Sequence, residues 1–191
     1  KYYKEGSSYN DLKAKMRKAD LYCSYLNANG WRNLSKLRKV SFSRNSMLEA
    51  IEKRSFSNCK FEEIKIPRNV KIIEEDAFRN CKKFKVVDFE DNSELELIES
   101  NAFNSSKLKT LYIPKNARLD KGWCQSVPKL KNVLISENSN KYRCLNSEIV
   151  VEKSDINSHI YDVLIFAAKN LKKVTVPKYV KRIAPYAFIE N

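Results

Sequence analysis

The apolar positions of this chain recur with a long period, and a recurrence of that kind fixes the architecture before any local propensity does. Val40, Phe42, Asn45, Ser46, Leu48, Ile51 and Glu52 return 47 positions later as Val87, Phe89, Asn92, Ser93, Leu95, Ile98 and Glu99. That distance is a double period, because Phe56, Phe78 and Phe103 are spaced by 22 and 25 residues. The unit reads L-x-x-V-x-I-P-x-x-V-x-x-I-x-x-x-A-F-x-x-C. Its first anchors are Leu37, Phe61, Phe84, Leu108, Leu130 and Leu171; three residues on come Val40, Ile64, Val87, Leu111, Val133 and Val174. Two further on stand Phe42, Ile66, Phe89, Ile113, Ile135 and Val176. The next anchors are Leu26, Ile51, Ile73, Ile98, Leu119 and Ile183, each followed five residues later by Trp31, Phe56, Phe78, Phe103, Cys124 and Phe188.

These spacings predict elements. Apolar residues two apart, as in Val174-Thr175-Val176, share one side of a short strand. Pro67, Pro114 and Pro177 follow such strands directly and end their pairing, having no N–H to donate. Ala77-Phe78, Ala102-Phe103 and Ala187-Phe188 suit a short helical turn with the aromatic folded inward. One unit holds five or six large apolar side chains, too few to offset the entropy of ordering about 22 residues. Units must therefore stack, equal phase over equal phase, about 4.8 Å apart. The prediction is a strand-rich solenoid of about six rungs with parallel short strands and short helical turns on the return side.

The run from Ile66 to Cys81, and again Val176 to Phe188, resembles the BspA-type leucine-rich repeat of bacterial and protist surface proteins. The resemblance extends from about Leu21 to the last residue, leaving out 136–164. Across the whole chain it is greatest to the BspA-like surface antigens of parasitic protists. It implies a leucine-rich repeat solenoid of α/β type at the cell surface or in secretion, with adhesion to host cells and matrix proteins as its use. One unit departs from the pattern, with Trp123-Cys124 in place of Ala-Phe and Asn116-Ala117 in place of Val. The period also breaks between Ser136 and Leu164, where Ile149–Val151 and Tyr161–Phe166 flank the polar segment Lys153 to His159. That pattern predicts a β-hairpin replacing the usual return limb. The expected organisation is a basic leader or degenerate repeat at 1–20, repeats at 21–135, the hairpin at 136–164 and a further repeat at 165–191. Lys1 follows no Met or apolar leader, and Asn191 falls before the next apolar anchor, so natural sequence on both sides is expected.

Composition narrows the functional classes. Apolar residues make up 42% and charged residues 31% of the 191 positions, a globular balance. The three glycines, Gly6, Gly30 and Gly122, are too far apart for a phosphate-cradling loop. The longest apolar run, Val163–Ala168, is far short of a membrane span. His159 is the single histidine and lies in a polar turn, which leaves histidine-dependent catalysis or metal binding one residue to rest on. The carboxylates of Glu74-Glu75-Asp76 and of Glu94 and Glu96 fall between core anchors and are expected on a solvated face. The expectation is a non-enzymatic chain with no cofactor and no metal. The five cysteines include no CxxC pair, and an odd number leaves at least one thiol free. Cys59 and Cys81 share a phase, within disulfide range once stacked, with reduced packing as the alternative. Asn33 and Asn104 begin N-glycosylation sequons.

Charge is the remaining global feature: 37 basic against 23 acidic residues give a net +14. Residues 1–40 hold 10 basic and 3 acidic groups, 107–131 hold 7 and 1, and 169–182 hold 6 and none. Such clusters suit a solvated surface or attraction to sulfated glycans. No zinc-finger, homeodomain or RNP signature supports nucleic acid. Repeat sheets bind through residues that alternate with the buried anchors. Here those are Lys39, Ser41, Glu63, Lys65, Val86, Asp88, Thr110, Tyr112, Asn132, Leu134, Lys173 and Thr175. Apolar Val86, Tyr112 and Leu134 near the middle of the row fit a protein partner better than a phosphate backbone. The expected function is a protein-binding module for adhesion, with an intracellular interaction scaffold or, third, a polyanion or nucleic-acid binder as alternatives.

Overall fold

The computed structural model describes residues 25–26, 38–169 and 171–188. Residues 1–20, Leu21, Trp31, Asn33 and Leu37 lie outside the described residues. Two kinds of strand alternate along the chain. The V-x-I segments form β3 (Glu63–Ile66), β5 (Val86–Phe89), β7 (Thr110–Ile113) and β9 (Asn132–Ile135). Shorter strands carry the following Ile anchors: β1 (Tyr25–Leu26), β2 (Ala50–Ile51), β4 (Ile72–Ile73), β6 (Leu97–Ile98) and β8 (Arg118–Leu119). All pairings among these nine strands are parallel, in the register the repeat dictates. Ile64 faces Val87, Leu111 faces Val133, and Leu26, Ile51, Ile73, Ile98 and Leu119 run across one five-stranded sheet. Each unit is one turn of a solenoid, with one anchor set lining its interior.

The aromatic anchors form the spine of that interior. Phe56 stacks on Phe78 with ring centroids 5.3 Å apart, and Phe78 on Phe103 at 5.6 Å. Phe61 and Phe84, from the strand side, meet at 5.2 Å, edge to face. The departing unit is packed as fully as its neighbours. Ala117, Trp123 and Cys124 are all buried, and Phe166 lies 6.0 Å from the Trp123 ring. A smaller side chain at the aromatic phase is thus offset by a larger one beside it.

The return side corrects the expectation of helical turns, because no helix occurs among the described residues. The residue two before each aromatic-phase position has positive φ: Arg54 at 59°, Asp76 at 59°, Asn101 at 55°, Gly122 at 75° and Tyr186 at 66°. So does the residue two after: Asn58 at 63°, Asn80 at 59°, Ser105 at 58° and Ser126 at 55°. Left-handed residues at this spacing break the i to i−4 ladder that a helix needs. The freed amides bond instead between rungs, as from Phe78 N to Ala102 O at 2.8 Å and Asn80 N to Asn104 O at 2.7 Å. Gly122 suits its position doubly, since a Cβ there would lie 3.3 Å from the Tyr186 ring.

The same turns correct the reading of Glu74-Glu75-Asp76 as a purely solvated run. Asp76 is buried and accepts from Arg54 Nε at 3.3 Å and Arg79 Nη1 at 3.2 Å. Glu74 accepts from Lys53 N at 2.8 Å, and Glu75 pairs with the Lys53 ammonium. Glu94 and Glu96 are exposed, as expected.

Beyond β9 the chain forms β10 (Tyr142–Leu145), β11 (Ile149–Glu152) and β12 (Val163–Ala167) before β13 (Arg182–Ile183). β11 and β12 are the antiparallel limbs of the expected hairpin; β10 adds a third limb that the period break did not reveal. Asn146 and Ser147, at φ 52° and 58°, close the β10–β11 turn. β12 then pairs in parallel with β13, the short strand of the last unit, in a sheet separate from the five-stranded one. Asp162 fixes the loop before β12 by accepting from Ser154 N at 2.9 Å and Ser154 Oγ at 2.8 Å, and these bonds hold its carboxyl below the usual range. The last unit departs from its predicted burial, with Ile183 at 56%, Phe188 at 38% and Val176 at 38% exposure. Among the described residues no further rung covers that side.

Candidate interaction surface

The long strands carry strict alternation, with burial patterns of exposed, buried, exposed, buried in β3 and β5. The inward residues are the anchors, and the outward ones are the residues singled out by the repeat. Glu63, Lys65, Asp88 and Asn132 are exposed, as are Lys39, Ser41, Lys173 and Thr175; Thr110 is half-buried. Val86, Tyr112 and Leu134 are 50%, 42% and 49% exposed, large fractions for apolar or aromatic side chains. In the register Tyr112 stands directly opposite Leu134, and Lys65 opposite Asp88. Val86 lies at the other outward position, on β5.

Two open hollows organise this face. One, of about 400 Å³, brings together Lys39, Ser41, Glu63, Lys65, Val86 and Asp88. The other, of about 800 Å³, joins Asp88 and Tyr112 to the strand-end carboxylates Glu90, Asp91, Glu94 and Glu96. That acidic rim was not among the sequence candidates; its signal is the carboxylate-rich stretch from Asp88 to Glu96. Lys173 and Thr175 sit beyond the hairpin, outside any strand and outside both hollows.

The remaining chemistry-bearing residues are placed as follows. His159 is exposed. Cys59, Cys81, Cys124 and Cys144 form no disulfide. Burial pushes the Cys81 thiol well above its ordinary range, and its sulfur donates to Phe56 O at 3.1 Å. Asn104 is half-buried in the turn stack, with its Oδ1 accepting from Ser105 Oγ at 2.7 Å and Ser106 buried below. Among the described residues no cluster of His, Cys, Asp and Glu is arranged to hold a metal ion. No helix among them is long and apolar enough to cross a membrane.

Comparison with known proteins gives the same architecture. Among solved structures, the chain is similar to the pneumococcal vaccine antigen PcpA, with 27% identity and a TM-score of 0.78 over 86% of this chain and 40% of that one. A leucine-rich cell surface protein from Faecalibacterium prausnitzii A2-165 shares the fold, with 18% identity and a TM-score of 0.63 over 86% of this chain and 52% of that one. So does a leucine-rich repeat protein from Eubacterium ventriosum, with 17% identity and a TM-score of 0.51 over 73% of this chain and 48% of that one. The chain therefore spans about half the length of these proteins, or less. No curated protein sequence matches it. The profile of the BspA type leucine-rich repeat region matches in 6 copies, across residues 15–131 and 49–164. With its parallel rungs, inward anchors and this match over most of its length, the chain belongs to the BspA-type leucine-rich repeat family.

Proposed function

We propose that this chain is the protein-binding part of a surface or secreted protein and that it serves adhesion to cells or to matrix proteins. The observation that carries the reading is the exposure of three large side chains on successive rungs, Val86 on the β3–β5 pair and Tyr112 opposite Leu134 on the β7–β9 pair. Exposed apolar side chains rimmed by charge are the usual composition of a protein contact. The rim here is Lys65 and Asp88 on one side and the carboxylates from Glu90 to Glu96 on the other. A structural neighbour that is a vaccine antigen and another that is a cell surface protein support a surface location. The absence of a disulfide among the four described cysteines favours a second reading, an intracellular scaffold built of the same repeats, since oxidising compartments promote pairing.

Two measurements test this. Surface labelling of intact cells separates the adhesin from the scaffold. Binding of the purified chain to cell monolayers and to immobilised matrix proteins is compared with that of a Val86→Ser, Tyr112→Ser, Leu134→Ser variant. A loss of at least tenfold at unchanged thermal stability is expected, as for the apolar centre of an interface. Equal binding by the two proteins removes the face from the proposal.

A further inference from the structure

Seven lysines of this chain line one edge of the solenoid, and that edge presents a second surface unlike the face just described. The residues flanking four successive first anchors are Lys60 and Glu62 around Phe61, Lys83 and Lys85 around Phe84, Lys107 and Lys109 around Leu108, and Lys129 and Lys131 around Leu130. All eight are exposed, because the anchor between each pair turns inward. Backbone hydrogen bonds hold them in register from rung to rung. Lys85 N donates to Glu62 O at 2.7 Å, Lys107 N to Phe84 O at 2.8 Å and Lys131 N to Lys109 O at 2.9 Å. The result is two parallel columns of ammonium groups with a step of about 4.8 Å, running about 14 Å over four rungs.

One carboxylate interrupts them: Glu62, in an ion pair with Lys85 at 2.7 Å. Among the described residues Lys60, Lys107, Lys109, Lys129 and Lys131 form no ion pair. Several like charges held on a rigid rail repel one another, and a polyanion that displaces their counterions relieves that repulsion. We infer that this edge binds a linear sulfated polysaccharide lying along the solenoid axis, with sulfates spanning successive rungs.

The shape of the edge argues against other polyanions. Duplex phosphates follow a helical path and meet a straight rail over a short arc. Single-stranded nucleic acid is held by aromatic platforms, whereas Phe61 and Phe84 on these rungs are wholly buried. A lipid surface calls for several apolar side chains to insert beside the charge, and Val86, next to Lys85, is a single exposed one bordering this edge.

The test uses the whole chain and heparin as probe, with affinity measured by calorimetry across a salt series. One variant carries Lys107→Gln, Lys109→Gln, Lys129→Gln and Lys131→Gln. A control of equal charge loss carries Lys71→Gln, Lys115→Gln, Lys178→Gln and Lys181→Gln. A milder pair, Lys107→Gln with Lys131→Gln, serves if thermal melting shows the fourfold variant to be unfolded. The edge variant is expected to lose at least tenfold in affinity, with a slope of log affinity on log salt smaller by about three to four. The control is expected to stay within about threefold, and hyaluronan, which carries no sulfate, to bind weakly throughout. Equal losses in edge variant and control, salt-independent binding, or hyaluronan binding as tight as heparin would each overturn the inference. Duplex DNA bound more tightly than heparin through the same four lysines would overturn it too, in favour of nucleic acid.

Discussion

At the scale of single residues, the fold depends on which of two roles a side chain holds, and neighbours in sequence hold opposite ones. Phe78 touches Phe56, Phe61, Phe84 and Phe103 and has no exposed surface. Lys71 lies on the outside, contributing its amide to Glu49 O at 2.8 Å. Phe78→Ala is expected to cost about 3–5 kcal/mol, the range for a large aromatic that leaves a cavity. Lys71→Ala is expected to change stability by less than about 0.5 kcal/mol. Chemical denaturation of the two variants checks the contrast, and similar small losses from both would contradict the assigned core. The inward residues were legible in the sequence because the period repeats them. The left-handed backbone at Arg54, Ser105, Ser126 and Tyr186 was not, since residue types that seldom adopt it share one conformation there. Asn58, Asn80, Asn101 and Gly122 carry a familiar sign of it. For the same reason Asp76 was read as solvated, when its two arginine partners bury it.

At the scale of elements, the regular strands and the hairpin obey different rules. A rung is ordered by the rung beside it, so its register was readable from residue spacing alone. The hairpin is ordered by particular side chains. Tyr142, at the start of β10, is buried, and its hydroxyl accepts from Leu119 N at 2.9 Å at the last strand of the five-stranded sheet. Burial also pushes the phenol above its ordinary range, so it stays neutral. Removing the hydroxyl leaves a ladder amide unpaired, a loss of about 1–3 kcal/mol. Tyr142→Phe is therefore expected to unfold at lower denaturant and to speed amide exchange at Leu119. Unchanged exchange there would mean that the hairpin does not close the sheet. A single side chain taking the place of a strand leaves no periodic trace, which is why the third limb, β10, was missed.

At the scale of the whole molecule, stacking converts a one-dimensional pattern into surfaces. Residues 22 to 25 apart become neighbours, so the outward strand positions form the apolar face of Val86, Tyr112 and Leu134, and the anchor-flanking positions form the lysine edge. The members of the face were legible because alternation names them. The acidic hollow beside it was not, since it joins residues from three successive rungs across their corners. Both surfaces depend on one premise, that equal phases stand directly over one another. Double-mutant cycles among Phe56, Phe78 and Phe103, each changed to Leu, test that premise most directly. Coupling of about 0.5 kcal/mol or more is expected for Phe56 with Phe78 and for Phe78 with Phe103, and coupling near zero for Phe56 with Phe103. Coupling of Phe56 to Phe103 as strong as to Phe78, or none between adjacent rungs, would contradict the stacked register and both surfaces built on it.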